Sequence, residues 1–175
     1  AFAIGRYAFK GRSSSNLLIF LPMATPEIVL GASLLSLFLV FQINPGFWPP
    51  VIAHVMFCIS FVVVTVKARI ASLDPRLEQA AMDLYANEFQ TFRRVTLPLV
   101  APGIAGAALL AFSLSFDDFI ITNFNSGTVI TFPKFVYTAA ARGIPAQANV
   151  IGSGMFFLAL AIVIAGQLVN RRKAR

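Results

Sequence analysis

Four long apolar stretches, nearly free of charge, constrain this chain more than any other feature of its sequence. They are residues 17–41, 48–66, 97–116 and 145–169, separated by short charged or turn-rich loops. About 20 helical residues cross the roughly 30 Å hydrocarbon layer of a bilayer at 1.5 Å per residue. Each stretch is about that long or longer. Lipid offers no partner for backbone N–H and C=O groups, so each stretch must be helical. The expectation is an all-α, polytopic membrane helix bundle, one transmembrane domain over 1–175 with four spans present. Composition agrees: 12% of residues are charged, against about 25% in soluble domains.

The net charge of +7 would suit a nucleic-acid partner, but the basic residues are scattered over short loops. Topology explains them better. With loops on alternating sides, twelve lysines and arginines fall on one side, from Arg6, Lys10 and Arg12 through Lys67, Arg69, Arg76, Arg93 and Arg94 to the final RRKAR. Only Lys134 and Arg142 fall on the other. That asymmetry puts both chain ends and loop 67–96 in the cytoplasm, and loops 42–50 and 117–144 outside. AFAIG before Arg6 reads as the tail of an apolar segment, so a piece lacking its N-terminal span or spans is expected. The single cysteine, Cys58, lies inside an apolar run and excludes a disulfide within the chain.

Within the spans, polar and punctuating residues carry the information. The first third of 17–41 is broken by Pro22 and Pro26, and Glu27 is its only charge. A charge in a span should face other helices or water. Trp48 suits the interface, and Pro49 and Pro50 suit a first helical turn. His54, a lone histidine, reads as a hydrogen-bonded packing residue. Gly103, Ala105, Gly106, Ala107 and Ala108 allow close helix approach. Asp117 and Asp118 end the third span where a helix terminus disfavours anions. TVITFPKFVYTAA reads as an interfacial or re-entrant piece, and Pro145 as the start of the fourth span.

Residues 67–96 form the charged island between the second and third spans. From Leu73 to Pro98 it holds Asp74, Glu78, Asp83 and Glu88, four of the seven acidic residues. Asp74-Pro75 reads as a helix start, with Asp as N-cap and Pro at N1. Leu73, Leu77, Ala80, Ala81 and Leu84 recur at helical spacing. Asn87 and Gln90 have capping-box spacing for a second helix, which ends near Arg93 and Arg94. The reading is helix, turn, helix, held by two spans. An amphipathic loop lying on the headgroups is the competing reading, but a small alanine-rich face fits a protein groove better than lipid.

The island resembles the EAA loop of ABC-transporter permeases: E-A-A, three residues, G, nine residues, I-x-L-P. Here Gln79-Ala80-Ala81 is followed at that spacing by Tyr85 and then Val95-Thr96-Leu97-Pro98. Glu is replaced by Gln79, with Glu78 beside it, and Gly by Tyr85. Tyrosine tolerates positive φ poorly, so Asn87 is expected to take the strained conformation instead. The wider chain resembles polyamine (spermidine/putrescine) importer permeases through RYAFKGR (6–12), TPEIVL (25–30), FVVVTV (61–66) and SFDD (115–118).

The resemblance implies a bacterial inner-membrane importer permease of type I architecture with about six spans. Its implied partners are two ATPase subunits, a second permease subunit and an extracytoplasmic solute-binding protein. Leu77, Glu78, Gln79, Ala80, Ala81, Leu84, Tyr85, Leu97 and Pro98 are its expected ATPase-coupling residues, with Glu78 pairing to a basic partner residue. A polycationic solute needs carboxylates along its path, so Glu27, Asp117 and Asp118 are expected there, with Phe116, Phe119 and Phe124 as cation–π candidates. The sequence carries no Walker A pattern, no GxGxxG, no zinc spacing and no catalytic constellation. No cofactor, metal or catalytic residue is expected, and ATP hydrolysis would fall to a partner. A secondary transporter or channel, suggested by broken helices and acidic residues, and a non-transport assembly subunit are the competing classes.

Overall fold

The computed structural model describes residues 1–140, 143 and 146–173. Every regular element among them is a helix. Among the described residues three helices are long and apolar enough to cross a membrane, or four if one bent pair counts as a span. Two compact units form, Ala1–Val129 and Ile130–Arg175.

The first unit opens with α1 (Phe2–Arg6), α2 (Arg12–Ala24) and α3 (Glu27–Val40). The stretch expected as one span, 17–41, is therefore two helices, and they meet at 106°. Pro22 stays inside α2. The break falls at Thr25, whose ψ of 129° is extended, because a residue before proline is driven out of the helical region. The Thr25 N–H and hydroxyl both donate to Leu21 O, closing the end of α2. Glu27 occupies the first turn of α3, where the helix dipole favours an anion.

α4 (Trp48–Ala71) begins with Pro49 and Pro50 and runs five residues past the expected 66. Among its buried positions, Pro50, Ala53, Phe57 and Ser60 recur at three and four residues, along one side of the helix. α7 (Leu97–Asp117) packs on α4 through small residues. Ala107 is fully buried, and a Cβ at Gly103 would sit 2.5 Å from Arg69 Cγ. That spacing of small residues brings the backbones close. Val66, Ile70, Val100 and Ala107 form one core cluster, and Leu34, Phe38, Ala53, Phe57, Cys58 and Ile121 the other.

α7 is not a separate helix. α6 (Glu88–Thr91) passes through one π turn, Phe92–Thr96, directly into it, making 30 continuous helical residues from Glu88 to Asp117. The expected boundary at Leu97-Pro98 is absent. Proline at a first turn reads as a start, but here a wider turn leads directly into it. Leu97 N–H bonds back five residues to Phe92 O.

α8 (Ile120–Asn125) follows α7 at once and packs on α3. A Cβ at Gly31 would meet Phe124 Cδ2 at 3.0 Å and Ile121 Cα at 3.3 Å. Asn125 Nδ2 donates to Gly31 O, and Gly46 N–H donates to Asn125 O. The 42–50 connector and the segment after α7 thus share one end of the unit, as alternating loop sides require. The second unit holds α9 (Phe132–Ala140), within the expected TVITFPKFVYTAA piece, and α10 (Ala146–Lys173). Arg142, Pro145 and Arg175, used above for charge counting and as a helix start, lie outside the described residues.

Candidate functional site

The island folds as α5 (Arg76–Asp83), a turn, and α6. Its start is one residue later than expected: Pro75 stands at the N-cap, and Asp74 Oδ1 accepts from Arg76 N–H at 2.9 Å. The capping box is present, with Asn87 Oδ1 accepting from Gln90 N–H and Gln90 Oε1 from Asn87 N–H. The turn corrects the expectation for Asn87. Tyr85 itself takes the left-handed conformation, φ 63°, while Asn87 is extended at φ −74°. Ala86 N–H donates to Ala81 O and Tyr85 N–H to Met82 O. These two bonds make a Schellman motif, which normally places glycine at this position. The glycine geometry survives with tyrosine in it, at a cost of about 1–2 kcal/mol.

That turn is the most exposed apolar feature of the island. Tyr85 is 98% exposed and Leu84 81%. Leu77, Ala80, Met82 and Phe89 are also exposed, and Gln79 joins them on the outer side. Ala81 is half-buried, so the outward face is built on Leu77, Ala80, Met82, Leu84 and Tyr85 rather than on Ala81. Leu97 and Pro98, part of the motif, lie exposed on the first turn of α7.

Glu78 turns inward, away from where a partner's basic residue would meet it. Its Oε1 accepts from Thr96 Oγ1 at 3.0 Å and lies 3.8 Å from Arg6 Nη2. The same Arg6 nitrogen donates to Leu73 O at 3.2 Å. Arg69 fixes the neighbouring corner, donating from Nε and Nη2 to Leu99 O at 3.1 and 3.0 Å. Lys67 Nζ donates to Asn16 Oδ1 at 2.9 Å, tying α4 to α2. These contacts join residues 18 to 72 positions apart, and no local spacing announces them. Gly103 was the one available signal, since the space it leaves is the space Arg69 fills.

A second polar cluster stands at the other end of α7. His54 Nδ1 lies 2.7 Å from Ser115 Oγ, and its Nε2 lies 3.1 Å from Asp118 Oδ2 and 2.9 Å from Thr122 Oγ1. Asp118 accepts from the N–H groups of Ile121 and Thr122 and from the Thr122 hydroxyl. The lone histidine is hydrogen-bonded as the sequence suggested. The acidic pair, expected to act together, is split. Asp118 is buried and committed to His54 and α8, while Asp117 is exposed. Glu27 is exposed and Phe116 half-buried.

An amphipathic projection fused to a membrane helix bundle defines a class that comparison with known proteins identifies. The family described as "binding-protein-dependent transport system inner membrane component" matches residues 1–172, and the chain belongs to it. Among its relatives, the spermidine/putrescine transport system permease protein PotC of Escherichia coli K12 is 38% identical over 176 residues, 100% of this chain and 67% of the relative. PotC of Haemophilus influenzae is 36% identical over 173 residues, 98% of this chain and 67% of the relative. The putrescine transport system permease protein PotI of E. coli K12 is 35% identical, over 83% of this chain and 54% of the relative.

Proposed function

We propose that this chain is the membrane-spanning permease subunit of an ATP-driven polyamine importer, in a bacterial inner membrane with the island facing the cytoplasm. The observation that carries this reading is the unbroken helix from Glu88 to Asp117 behind an exposed apolar turn. α5 and the Leu84-Tyr85 turn dock into a groove on an ATPase subunit, and two such subunits serve two permease subunits. Closure of the ATPase pair displaces α5. With no flexible joint between α6 and α7, the displacement enters the span as a rigid-body motion. Hydrolysis belongs to the partner, and this chain supplies the path and the lever. A solute-binding protein delivers the polyamine on the outer side.

The names of the relatives and the exposed carboxylates support a polycationic solute. Glu27, beside the bend between α2 and α3, and Asp117, at the end of α7, are proposed as path carboxylates with Phe116 nearby in sequence. Asp118 is proposed to shape the path by holding the α7–α8 corner. Membership of a binding-protein-dependent family favours this reading over a secondary transporter or a channel.

The test is uptake of labelled spermidine into proteoliposomes carrying the complete complex. Uptake should require ATP, the ATPase subunits and the binding protein. Uptake driven by an ion gradient without ATPase subunits would overturn the reading.

A further inference from the structure

The Glu78 carboxylate is the point where three elements meet, and one of them is the N-terminal segment, which the coupling reading leaves without a role. We propose that Arg6 is a positioning residue for the docking helix, and that through it α5 drives α2 as well as α7. This rests on the coupling role proposed above for α5.

The geometry supplies two routes out of Glu78. One runs through Thr96, 2% exposed, in the π turn that leads into α7. The other runs through Arg6 to α1, whose Ile4 carbonyl accepts from Arg12 Nε, at the first residue of α2, at 3.1 Å. α1 also touches the moving parts directly. Phe2 meets Phe92, the first residue of the π turn, ring edge to face at 5.6 Å, and a Cβ at Gly5 would lie 3.3 Å from Ile70 Cγ2 on α4. α1 is therefore wedged among the ends of α4, α5 and the π turn.

Arg6 Nη2 serves two neighbours at once, donating to Leu73 O at 3.2 Å while lying 3.8 Å from Glu78 Oε1. The side chains of Arg6 and Glu78 are 16% and 22% exposed, so the pair is shielded from most of the solvent that weakens surface pairs. An ion pair shielded in this way, between the docking helix and the short helix bonded to α2, fits transmission of position.

The experiment uses the complete reconstituted transporter and reads two quantities, solute taken up and ATP hydrolysed. Arg6→Ala removes the ion pair to Glu78 together with the charged hydrogen bond to Leu73 O, and should lower solute moved per ATP by about ten-fold. ATPase co-purification should be retained. Thr96→Val tests the other route and should lower the same ratio independently of Arg6. Arg6→Ala with Glu78→Ala should be no worse than Glu78→Ala alone, and Arg6→Lys should restore part of the ratio. A ratio equal to wild type in Arg6→Ala, or additive losses in the double variant, would overturn the proposal. So would a loss of uptake matched by an equal loss of hydrolysis and association, since that marks a merely structural residue. If the wild-type complex shows no ATP-driven uptake, the coupling reading itself fails, a result distinct from any of these.

Discussion

The two ends of the 30-residue helix are built on opposite plans. At the island end, polar contacts are half-buried, reach across separate elements, and stand behind an exposed apolar turn at Leu84 and Tyr85. At the far end, His54, Ser115, Asp118 and Thr122 close on one another with their carboxylate buried and capping the next helix. In the coupling role proposed above, the first end is touched and moved, and the second holds its shape while the first moves. A lever needs both, since a displacement applied to a helix is transmitted only if the distant attachment does not yield.

The sharpest way to break this contrast is at the closed end. Asp118→Ala leaves the N–H groups of Ile121 and Thr122 and the Thr122 hydroxyl without the carboxylate they share, and takes from His54 Nε2 one of its two neighbours. Leaving a buried donor without its acceptor costs about 1–3 kcal/mol. The expected result is a drop in the melting temperature of the detergent-solubilised permease, and an unchanged melting curve would show that this end is not the fixed one. At the touched end, Leu84→Glu should leave melting unchanged, because the side chain is already in solvent. It should weaken ATPase co-purification by about ten-fold or more, the scale of one leucine side chain that no longer enters an apolar groove. The smallest effect has the opposite sign. Tyr85→Gly relieves a positive φ and should raise stability by about 1 kcal/mol, seen as a higher melting temperature. Any accompanying loss of ATPase binding would measure what the exposed ring contributes to docking.

The sequence reported local chemistry well and long-range chemistry poorly. The Asn87–Gln90 capping box, the small-residue face of α7 and the hydrogen-bonded state of His54 follow from spacing or burial rules that act over a few residues. The turn at Tyr85 was located by motif spacing but misassigned, because intrinsic preference pointed to Asn87 while two Schellman hydrogen bonds hold Tyr85 in place. The inward turn of Glu78 depends on Arg6 and Thr96, and the split of Asp117 from Asp118 depends on His54. Neither is encoded at helical period. Pro98 misled for a different reason. A proline in a first turn marks a start only when nothing helical precedes it, and here a π turn leads straight into it.

That widened turn also sets a phase. An α-helix advances about 100° per residue, so the one extra residue that a π turn carries rotates everything before it relative to everything after it. The direction in which α5 and Tyr85 project is thus fixed by a single residue's worth of winding between Phe92 and Thr96. A permease with the same residues on both sides but an ordinary α turn between them would present the proposed docking face about a quarter-turn away.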